Sequence, residues 1–389
     1  MVFINTLISL FKKKILIKTL KKKLYPYFRG LLLLLFPKKN KIKLTINKFN
    51  KIDKSETDLA KRIFDFYKLL KKEELNKDEI YRPSTLWQQH IDRDFKFLIE
   101  SYNKDDLEQF TLFLQNFGNW ENYLGIENQI LIKNYNKNIL LRKFLKDEIF
   151  FGQYKFWKFF NLKEDLSEVN FPRHGNQIGA TVDENFFVLG SFFNEIYAKI
   201  LCSVLDQNKR NIILDIGAGY GKFGYYIVKK IKNATFIDID IPENLILASY
   251  FLSKSFTSKK VFFYGEKKFD QNILENFDFI FLPPWEIEHI SSNTIDLAIN
   301  KNSLGEMNPE TAKNYINHIH RTSNFFFSMN HESIRNKFSD NKESLINSEY
   351  NNGKFKQLIR YPDLSHLIYE NNMINFESDI FFYLYEKIK

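Results

Sequence analysis

The strongest chemical signal in the sequence is a loop with three alternating glycines that directly follows an apolar stretch. The stretch Ile212–Ile216 contains an acid, Asp215, near its end, and the glycines are Gly217, Gly219 and Gly221. Glycines let the backbone turn sharply and approach a ligand without side-chain interference. The following residues predict a helix whose first N–H groups are free to bind an anionic group such as an amino-acid carboxylate. We therefore expect a ligand site here, with Asp215 orienting the loop or a ligand's ammonium group.

The loop resembles the first motif of class I methyltransferases, in the segment Asp215-Ile-Gly-Ala-Gly-Tyr-Gly221. The resemblance implies S-adenosyl-L-methionine as the cofactor, bound against the glycines and Ala218. One alternative stays open, because Gly219-Tyr-Gly221-Lys-Phe-Gly224 also matches the G-x-G-x-x-G fingerprint of dinucleotide-binding proteins. In that register Asp215 has no assigned role.

Two acids at the end of the next predicted strand are candidates for binding a ribose. The strand Thr235–Ile239 contains Asp238 and is followed by Asp240. Side chains two residues apart on a strand point the same way, so either carboxylate is suitably placed. An acid at this point of an open parallel sheet accepts hydrogen bonds from ribose hydroxyls. We favour Asp240, because Asp-Ile-Pro-Glu-Asn-Leu resembles the stretch that follows the ribose acid in methyltransferases.

A Pro-Pro-aromatic sequence, Pro283-Pro284-Trp285, follows a third predicted strand. It resembles the motif with which nucleic-acid amino methyltransferases hold a flipped base. In that motif an Asp, Asn or Ser precedes the prolines, whereas Leu282 cannot accept a hydrogen bond. We therefore interpret Pro283, Pro284 and Trp285 as an apolar wall for the adenine of the cofactor, with plain packing of the loop as the alternative.

Polar residues follow two further predicted strands, at the edge of the sheet where a methyl acceptor is expected. They are Asn300, Ser303, Glu306, Asn330 and His331. A general base speeds methylation of a hydroxyl, and His331 is the first candidate because imidazole titrates near neutrality. Glu306 is the second candidate, and Asn300 is expected beside the cofactor. The structural alternatives are a surface loop position for His331 and a helix-start acid for Glu306. No cluster of metal ligands is evident, and no metal is predicted.

Residues from about 170 to 335 resemble bacterial sugar O-methyltransferases that are encoded with surface-polysaccharide synthesis. Besides the glycine loop and Ile295–Asn300 with Asn330, the pair Gly175-Asn176 and the stretch Ser303-Leu-Gly-Glu-Met307 carry the resemblance. It implies that the acceptor is a sugar hydroxyl of a surface glycan or of its nucleotide-sugar or lipid-linked precursor. A nucleic-acid or other small-molecule methyltransferase and a non-catalytic cofactor-binding scaffold stay open as alternatives.

Alternating apolar stretches and amphipathic helices predict an α/β fold with a Rossmann-like class I methyltransferase sheet and helices on both faces. Strands are predicted at Ile212–Ile216, Thr235–Ile239, Phe279–Leu282, Ile295–Ile299, Phe325–Met329 and Ile380–Tyr385, and helices at Tyr220–Ile231, Glu243–Leu252 and Pro309–Arg321. A further helix is expected to begin at Asp183. The charged, helix-periodic residues before this region predict a mainly α-helical N-terminal domain that covers a substrate site or binds a partner. The expected segments are 1–45, 46–165 and 166–389.

The positive charge of the chain is concentrated at its start. The first 50 residues contain 12 Lys and one Arg and no acid, so the other 339 residues sum to −3 within a net charge of +10. The body of the protein therefore lacks the basic character of a nucleic-acid-binding surface. We expect residues 1–45 to contact an anionic membrane without crossing it, with a basic helix packed on the next domain as the alternative. The single cysteine, Cys202, suits a reducing compartment such as the cytoplasm.

Overall fold

The computed structural model describes residues 24–46, 48–120, 134–161, 165–351, 353–365 and 379–388. The strands are β1 Lys43–Thr45, β2 Gly179–Val182, β3 Asn185–Phe187, β4 Asn211–Ile216, β5 Ala234–Ile239, β6 Val261–Phe263, β7 Phe279–Leu282, β8 Ile295–Lys301, β9 Ser323–His331, β10 Phe355–Pro362 and β11 Ile380–Lys387. The helices that lie wholly in these ranges are α1 Thr57–Glu74, α2 Thr85–Asp94, α3 Lys96–Asn103, α4 Leu107–Asn116, α5 Ile139–Phe144, α6 Phe151–Phe160, α7 Ser191–Cys202, α8 Lys222–Lys230, α9 Pro242–Ser255, α10 Gln271–Asn276 and α11 Pro309–Thr322.

Eight strands form one mixed sheet in the order β10-β11-β9-β8-β4-β5-β7-β6. Strands β4 to β9 pair in parallel, whereas β11 runs antiparallel to β9 and to β10. The chain moves outward from β4 in both directions, through β5 on one side and β8 on the other. A crevice opens at such a switch point, outside the carboxyl ends of the strands.

The predicted Rossmann-like α/β fold is confirmed. Strand β4 is almost entirely buried, as its apolar run Ile212–Leu214 requires, and β5 and β7 are buried at every residue. Helix α8 begins after Gly221, whose φ of +83° suits the residue before a helix only because it lacks a side chain. Helix α11 begins after Asn308 with Pro309 in its first turn, as predicted.

The prediction of a helix that begins at Asp183 is wrong. Asp183 instead lies in the turn between β2 and β3, with a φ of +52°, and helix α7 begins at Ser191. The aromatic run after Asp183 is compatible with either element, and its pairing with β2 decides for a strand. Strand β1 pairs with the other edge of β2, so this small sheet joins residues before position 46 to residues after position 166.

Helices α1 to α6, between Thr57 and Phe160, precede the sheet, and we call them the helical segment. This segment packs directly on helix α9 through α1. The Tyr67 hydroxyl and the Lys71 ammonium both lie 3.0 Å from the buried Glu243 carboxylate. Nearby, Phe66 of α1 stacks on Phe263 of β6 with ring centroids 5.2 Å apart. These contacts fix the helical segment beside the carboxyl ends of the strands.

Part of the basic N-terminal segment, residues 1–23, lies outside the described residues. The described part contains a helical stretch at residues 24–35 and strand β1. Among the residues that the structure describes, no helix is both long and apolar enough to cross a membrane.

Candidate active site

A cavity of about 320 Å³ lies at the carboxyl ends of β4, β5 and β8. This volume is at the lower end of the range for small-molecule sites. The lining side chains come from the sheet loops, from helices α7, α8, α9 and α11 and from the helical segment. Those that matter below are Tyr81, Ser84, Trp87, Asn194, Asp215, Gly217, Ala218, Gly219, Asp240, Pro284, Lys301, Ser303, Glu306, Thr311 and Tyr315.

The glycine loop wraps closely around the base of this cavity. The N–H of Gly217 donates to the Ile239 carbonyl at 2.8 Å, which prolongs the pairing of β4 with β5. Gly217 has a φ of +79°, and a Cβ at this position would lie 2.2 Å from Ser303 Oγ. The Gly219 N–H donates to Asp240 at 2.9 Å. Only glycine therefore fits at Gly217, and the loop is held by Asp240 from the neighbouring strand.

Three buried acids lie behind and beside the loop. Asp215 and Asp238 are direct neighbours on paired strands, and Asp240 follows at the end of β5. Burial, and then the negative charge of Asp240, raise the pKa of Asp215 to about 8. Burial raises the pKa of Asp240 to about 7, although hydrogen bonds from Gly219, Asn244 and Ile241 act in the opposite direction. The pKa of Asp238 is raised well above its usual range by burial and by the other two acids. A cationic or hydroxyl-bearing ligand would relieve this accumulation of carboxylates.

Three buried polar atoms of cavity-lining residues have no hydrogen-bond partner among the residues that the structure describes: Asp215 Oδ1, Asn194 Nδ2 and Asn308 Oδ1. Asp215 is 2% exposed and Asn194 is 3% exposed, so leaving either atom unpaired costs free energy. Asp215 Oδ1 and Asn308 Oδ1 are acceptors, and Asn194 Nδ2 is a donor. A ligand that carries both an ammonium and a carboxylate group, as an amino acid does, would satisfy both kinds of atom.

Asp240, and not Asp238, lines the cavity. This placement agrees with the preference for Asp240 as the ribose acid. Asp238 lies under the loop instead, fully buried. Gly221 also does not line the cavity and serves as the residue before α8.

The opposite wall is supplied by the helical segment, which contacts Glu306 in two ways. Ser84 Oγ donates to the Glu306 carbonyl at 2.7 Å, and Trp87 Nε1 donates to the Glu306 carboxylate at 2.8 Å. Burial raises the pKa of Glu306 to about 7, and the charge of Asp240 adds to this, while the Trp87 hydrogen bond lowers it. Glu306 therefore has the chemical properties of a general base that works near neutral pH.

Asn300 does not line the cavity, which corrects its predicted contact with the cofactor. Its amide donates to the Ile216 carbonyl at 2.8 Å, and its oxygen accepts from Asn330 at 2.9 Å and from the Leu304 N–H at 3.1 Å. Ser303 Oγ donates to the same Ile216 carbonyl at 2.9 Å. These buried bonds hold the glycine loop against β8, so the role of Asn300 is structural.

The Pro-Pro-Trp sequence contributes only one residue to the cavity. Strand β7 lies beside β5, and Pro284 after it lines the cavity. Pro283 and Trp285 do not, which corrects the predicted three-residue wall. The Trp285 ring is 4% exposed and lies 5.1 Å from the Lys77 ammonium, so it packs the helical segment onto the sheet.

His331 does not line the cavity either, which removes the geometric basis of its predicted role as general base. His331 is the last residue of β9, and its Nδ1 lies 2.8 Å from the carboxylate of Asp379, which directly precedes β11. Asp379 also accepts from the N–H groups of Ser333 and Ile334 at 3.0 Å. The His331 side chain thus contributes to the contact between the end of β9 and the residue that precedes β11.

Several lining residues were missed from the sequence, and most of them lie before the sheet domain or on its helices. They are Tyr81, Ser84, Trp87, Asn194, Lys301, Thr311 and Tyr315. The sequence Pro83-Ser84-Thr85 does indicate a helix start, and Ser84 accepts from the Trp87 N–H at 3.3 Å. That signal places a helix, but nothing local shows that Trp87 meets a residue 219 positions later.

Comparisons with known proteins give distant similarities. No family model and no curated protein sequence matches this chain. One similar solved structure is mitomycin 7-O-methyltransferase, with 9% identity over 51% of this chain and 57% of that chain and a TM-score of 0.32. Another is magnesium protoporphyrin IX methyltransferase from Synechocystis with bound SAM, with 10% identity over 50% of this chain and 78% of that chain and a TM-score of 0.33. A third is plantazolicin methyltransferase in complex with SAH, with 16% identity over 50% and 82% and a TM-score of 0.30.

These similarities assign no substrate to this chain. Its own topology, with a glycine loop after the central strand β4 and helices beside a mostly parallel sheet, is the Rossmann-like α/β fold predicted from the sequence.

Proposed function

We propose that this protein is an S-adenosylmethionine-dependent O-methyltransferase that modifies a sugar hydroxyl. The observation that carries the proposal is that one cavity holds both the acids of the glycine loop and a separate carboxylate, Glu306, whose pKa is raised to about 7. The first group of residues suits a cofactor, and the second suits activation of an acceptor.

The residues of the cavity fit the cofactor's functional groups. Asp215 would accept from the ammonium group and Asn194 would donate to the carboxylate, since both atoms otherwise stay unpaired among the described residues. Asp240 would accept from the ribose hydroxyls, and Pro284 offers apolar surface for the adenine. When bound, S-adenosylmethionine supplies an electrophilic methyl group, so the protein's main task is to position the acceptor oxygen.

Glu306 is the group best placed to take the proton of the acceptor hydroxyl. Its carboxylate reaches the cavity, and the Trp87 hydrogen bond fixes its orientation. A base with a pKa of about 7 is substantially ionised at neutral pH and still accepts a proton readily. General-base catalysis of this kind contributes about 10² to 10⁴-fold to a rate.

The choice of a sugar acceptor rests on the family resemblance and on the chemistry of the acceptor side of the cavity. Trp87, Tyr81 and Tyr315 offer flat surfaces, while Ser303 and Thr311 offer hydroxyl groups. Such a mixture suits a ring that carries several hydroxyls. The charge of −3 outside the first 50 residues weighs against a nucleic-acid acceptor.

The first test is calorimetric titration of the full chain with S-adenosylmethionine, its demethylated product and NAD. We expect binding of the first two and none of NAD; tight NAD binding without a response to S-adenosylmethionine would contradict the cofactor assignment. The second test is mass spectrometry of surface glycans from cells with and without the protein. We expect one methylene mass difference in a sugar, and methylation of RNA or DNA alone would favour the nucleic-acid alternative.

A further inference from the structure

The helical stretch at residues 24–35 has one face that is docked on the protein. Gly30 packs so closely on α5 that a Cβ there would lie 2.1 Å from the Leu140 carbonyl oxygen. On the same side, Arg29 forms an ion pair with Glu148 at 2.8 Å, and Leu33 is 4% exposed. The Tyr25 ring meets the edge of Phe144 with centroids 6.0 Å apart. This face holds the helix in a fixed orientation.

The other face of the same helix is apolar and open to solvent. Leu24, Phe28, Leu31 and Leu35 recur at intervals of four, three and four residues, which places them on one side of a helix. They are 55%, 60%, 46% and 63% exposed, and Phe36 at the end of the helix is 75% exposed. Exposed apolar surface of this size and continuity marks an interaction site rather than scattered surface residues. We call these five residues the apolar face.

Positive charge surrounds the apolar face in the sequence. The exposed residues Lys38, Lys39 and Lys41 follow the helix. Lys38 lies 3.2 Å from the Glu148 carboxylate and Lys41 lies 3.3 Å from the Asp183 carboxylate, and both pairs are open to solvent. The first 50 residues carry 13 basic side chains and no acid, while the rest of the chain sums to −3. An apolar helix face with basic neighbours is the composition that binds the interface of an anionic bilayer. A protein partner would require only a complementary apolar groove and would not account for the one-sided charge.

We propose that the apolar face docks on an anionic lipid surface, with the helix lying in the interface plane and the lysines near the headgroups. The docked face keeps the remaining domains on the aqueous side of the helix. This inference is independent of the proposed methyltransferase function, because none of its residues lines the cavity.

The test is flotation of the full chain with vesicles of phosphatidylcholine alone or with phosphatidylglycerol added, at low and high salt. We expect binding only to the anionic vesicles, reduced at high salt because screening weakens the attraction. The double substitution Leu31→Ser/Leu35→Ser should lower the partition coefficient by about 10-fold or more, since burial of apolar side chains drives insertion.

The matched control is Leu75→Ser/Leu358→Ser, which makes the same change at two exposed leucines outside the apolar face. It should leave flotation unchanged, and circular dichroism should show that both double variants are folded. The proposal is overturned if the wild type does not float with anionic vesicles, if it floats equally well with phosphatidylcholine alone, or if both double variants lose binding equally. It is also overturned if the apolar face mediates self-association, measured by sedimentation velocity, without vesicle binding.

Discussion

The Trp87 indole N–H donates to the Glu306 carboxylate at 2.8 Å and thereby connects the helical segment to the wall of the cavity that contains Glu306. Glu306 lies in the loop after β8, and Trp87 lies in α2. The helical segment therefore does more than cover the cavity, because its hydrogen bond to the Glu306 carboxylate lowers a pKa that burial raises.

Trp87→Phe should move the pH–rate profile. The hydrogen bond from Trp87 lowers the pKa of Glu306, so its loss should raise that pKa above about 7. In the proposed reaction the ionised carboxylate is the active base, so the acidic limb of the profile should shift to higher pH. The measurement is kcat as a function of pH.

The matched control for this prediction is Trp157→Phe. Trp157 donates to the Glu195 carboxylate at 2.7 Å, so the substitution removes the same kind of bond outside the cavity. It should lower stability without moving the profile. An unchanged profile for Trp87→Phe would show that Trp87 does not act on the catalytic base.

Asp240→Ala should weaken cofactor binding more than Asp238→Ala. Asp240 lines the cavity, whereas Asp238 lies under the glycine loop. The loss of hydrogen bonds between a charged group and the ribose hydroxyls should cost about 1.5–3 kcal/mol each, which is at least 10-fold in affinity. Isothermal titration with S-adenosylmethionine measures this; the reverse order would assign the ribose to Asp238.

The buried acids should make stability depend on pH. The folded-state pKa values of Asp215, Asp238 and Asp240 are raised, so between about pH 4 and pH 8 the folded state holds protons that the unfolded state has lost. The stability from these acids is complete below the unfolded pKa and is lost as pH rises through the folded pKa. Asp238→Asn removes one of them, so its Tm relative to wild type should increase from pH 5 to pH 8 in the absence of ligand.

Thermal unfolding followed by circular dichroism at several pH values checks this expectation. Asp65→Asn is the control, because Asp65 is an exposed acid on α1. Its Tm difference from wild type should be the same at both pH values. If Asp238→Asn also gave a constant difference, the pKa of Asp238 would not be raised in the folded state.

Gly217→Ala should disable the glycine loop through a steric clash. A Cβ there would lie 2.2 Å from Ser303 Oγ, and the φ of +79° is unfavourable for alanine. Gly353 has a φ of +85° with no atom within 4 Å of an added Cβ, so Gly353→Ala isolates the backbone effect. We expect Gly217→Ala to cost about 1–3 kcal/mol more than Gly353→Ala in chemical denaturation. Adding Ser303→Gly should restore part of the difference, and no restoration would locate the strain elsewhere.

The parallel core of the sheet could be predicted from the sequence, because buried parallel strands are continuous apolar runs bounded by turn residues. Strands β6 and β10 were missed for two different reasons. The apolar run of β6 is only three residues long, and β10 at the edge of the sheet has a single buried residue, Phe355, so it lacks the apolar run of a core strand. The helix at Asp183 was predicted wrongly because the aromatic residues after it are compatible with a helix as well as a strand. The positive φ of Asp183, which suits a hairpin turn, cannot be recognised from that sequence.

The residues of the candidate site were also predicted only in part. Asp215, the glycine loop and Asp240 are close in sequence and were predicted together, since a strand–loop–helix unit positions them. The contacts of Trp87 and Ser84 with Glu306 depend on packing between segments that are far apart in the chain, and no local sequence pattern predicts such packing. His331 was chosen because it follows a core strand, but the end of β9 turns toward Asp379 and β11.

The last prediction concerns the general base and compares Glu306→Gln with His331→Ala. Glu306 reaches the cavity with a pKa raised to about 7, whereas His331 does not line the cavity and pairs with Asp379. Glu306→Gln preserves the size of the side chain and its ability to accept from Trp87 but removes the proton-accepting charge. It should lower kcat by about 10² or more with cofactor affinity nearly unchanged.

The comparison variants are His331→Ala and Glu310→Gln. His331→Ala should keep most of the wild-type turnover. Glu310 is an exposed glutamate in the next helix, so Glu310→Gln should keep all of it. If His331→Ala were the inactive variant and Glu306→Gln the active one, the turn after β9 would have to move to the cavity during turnover, and Glu306 would be a structural acid.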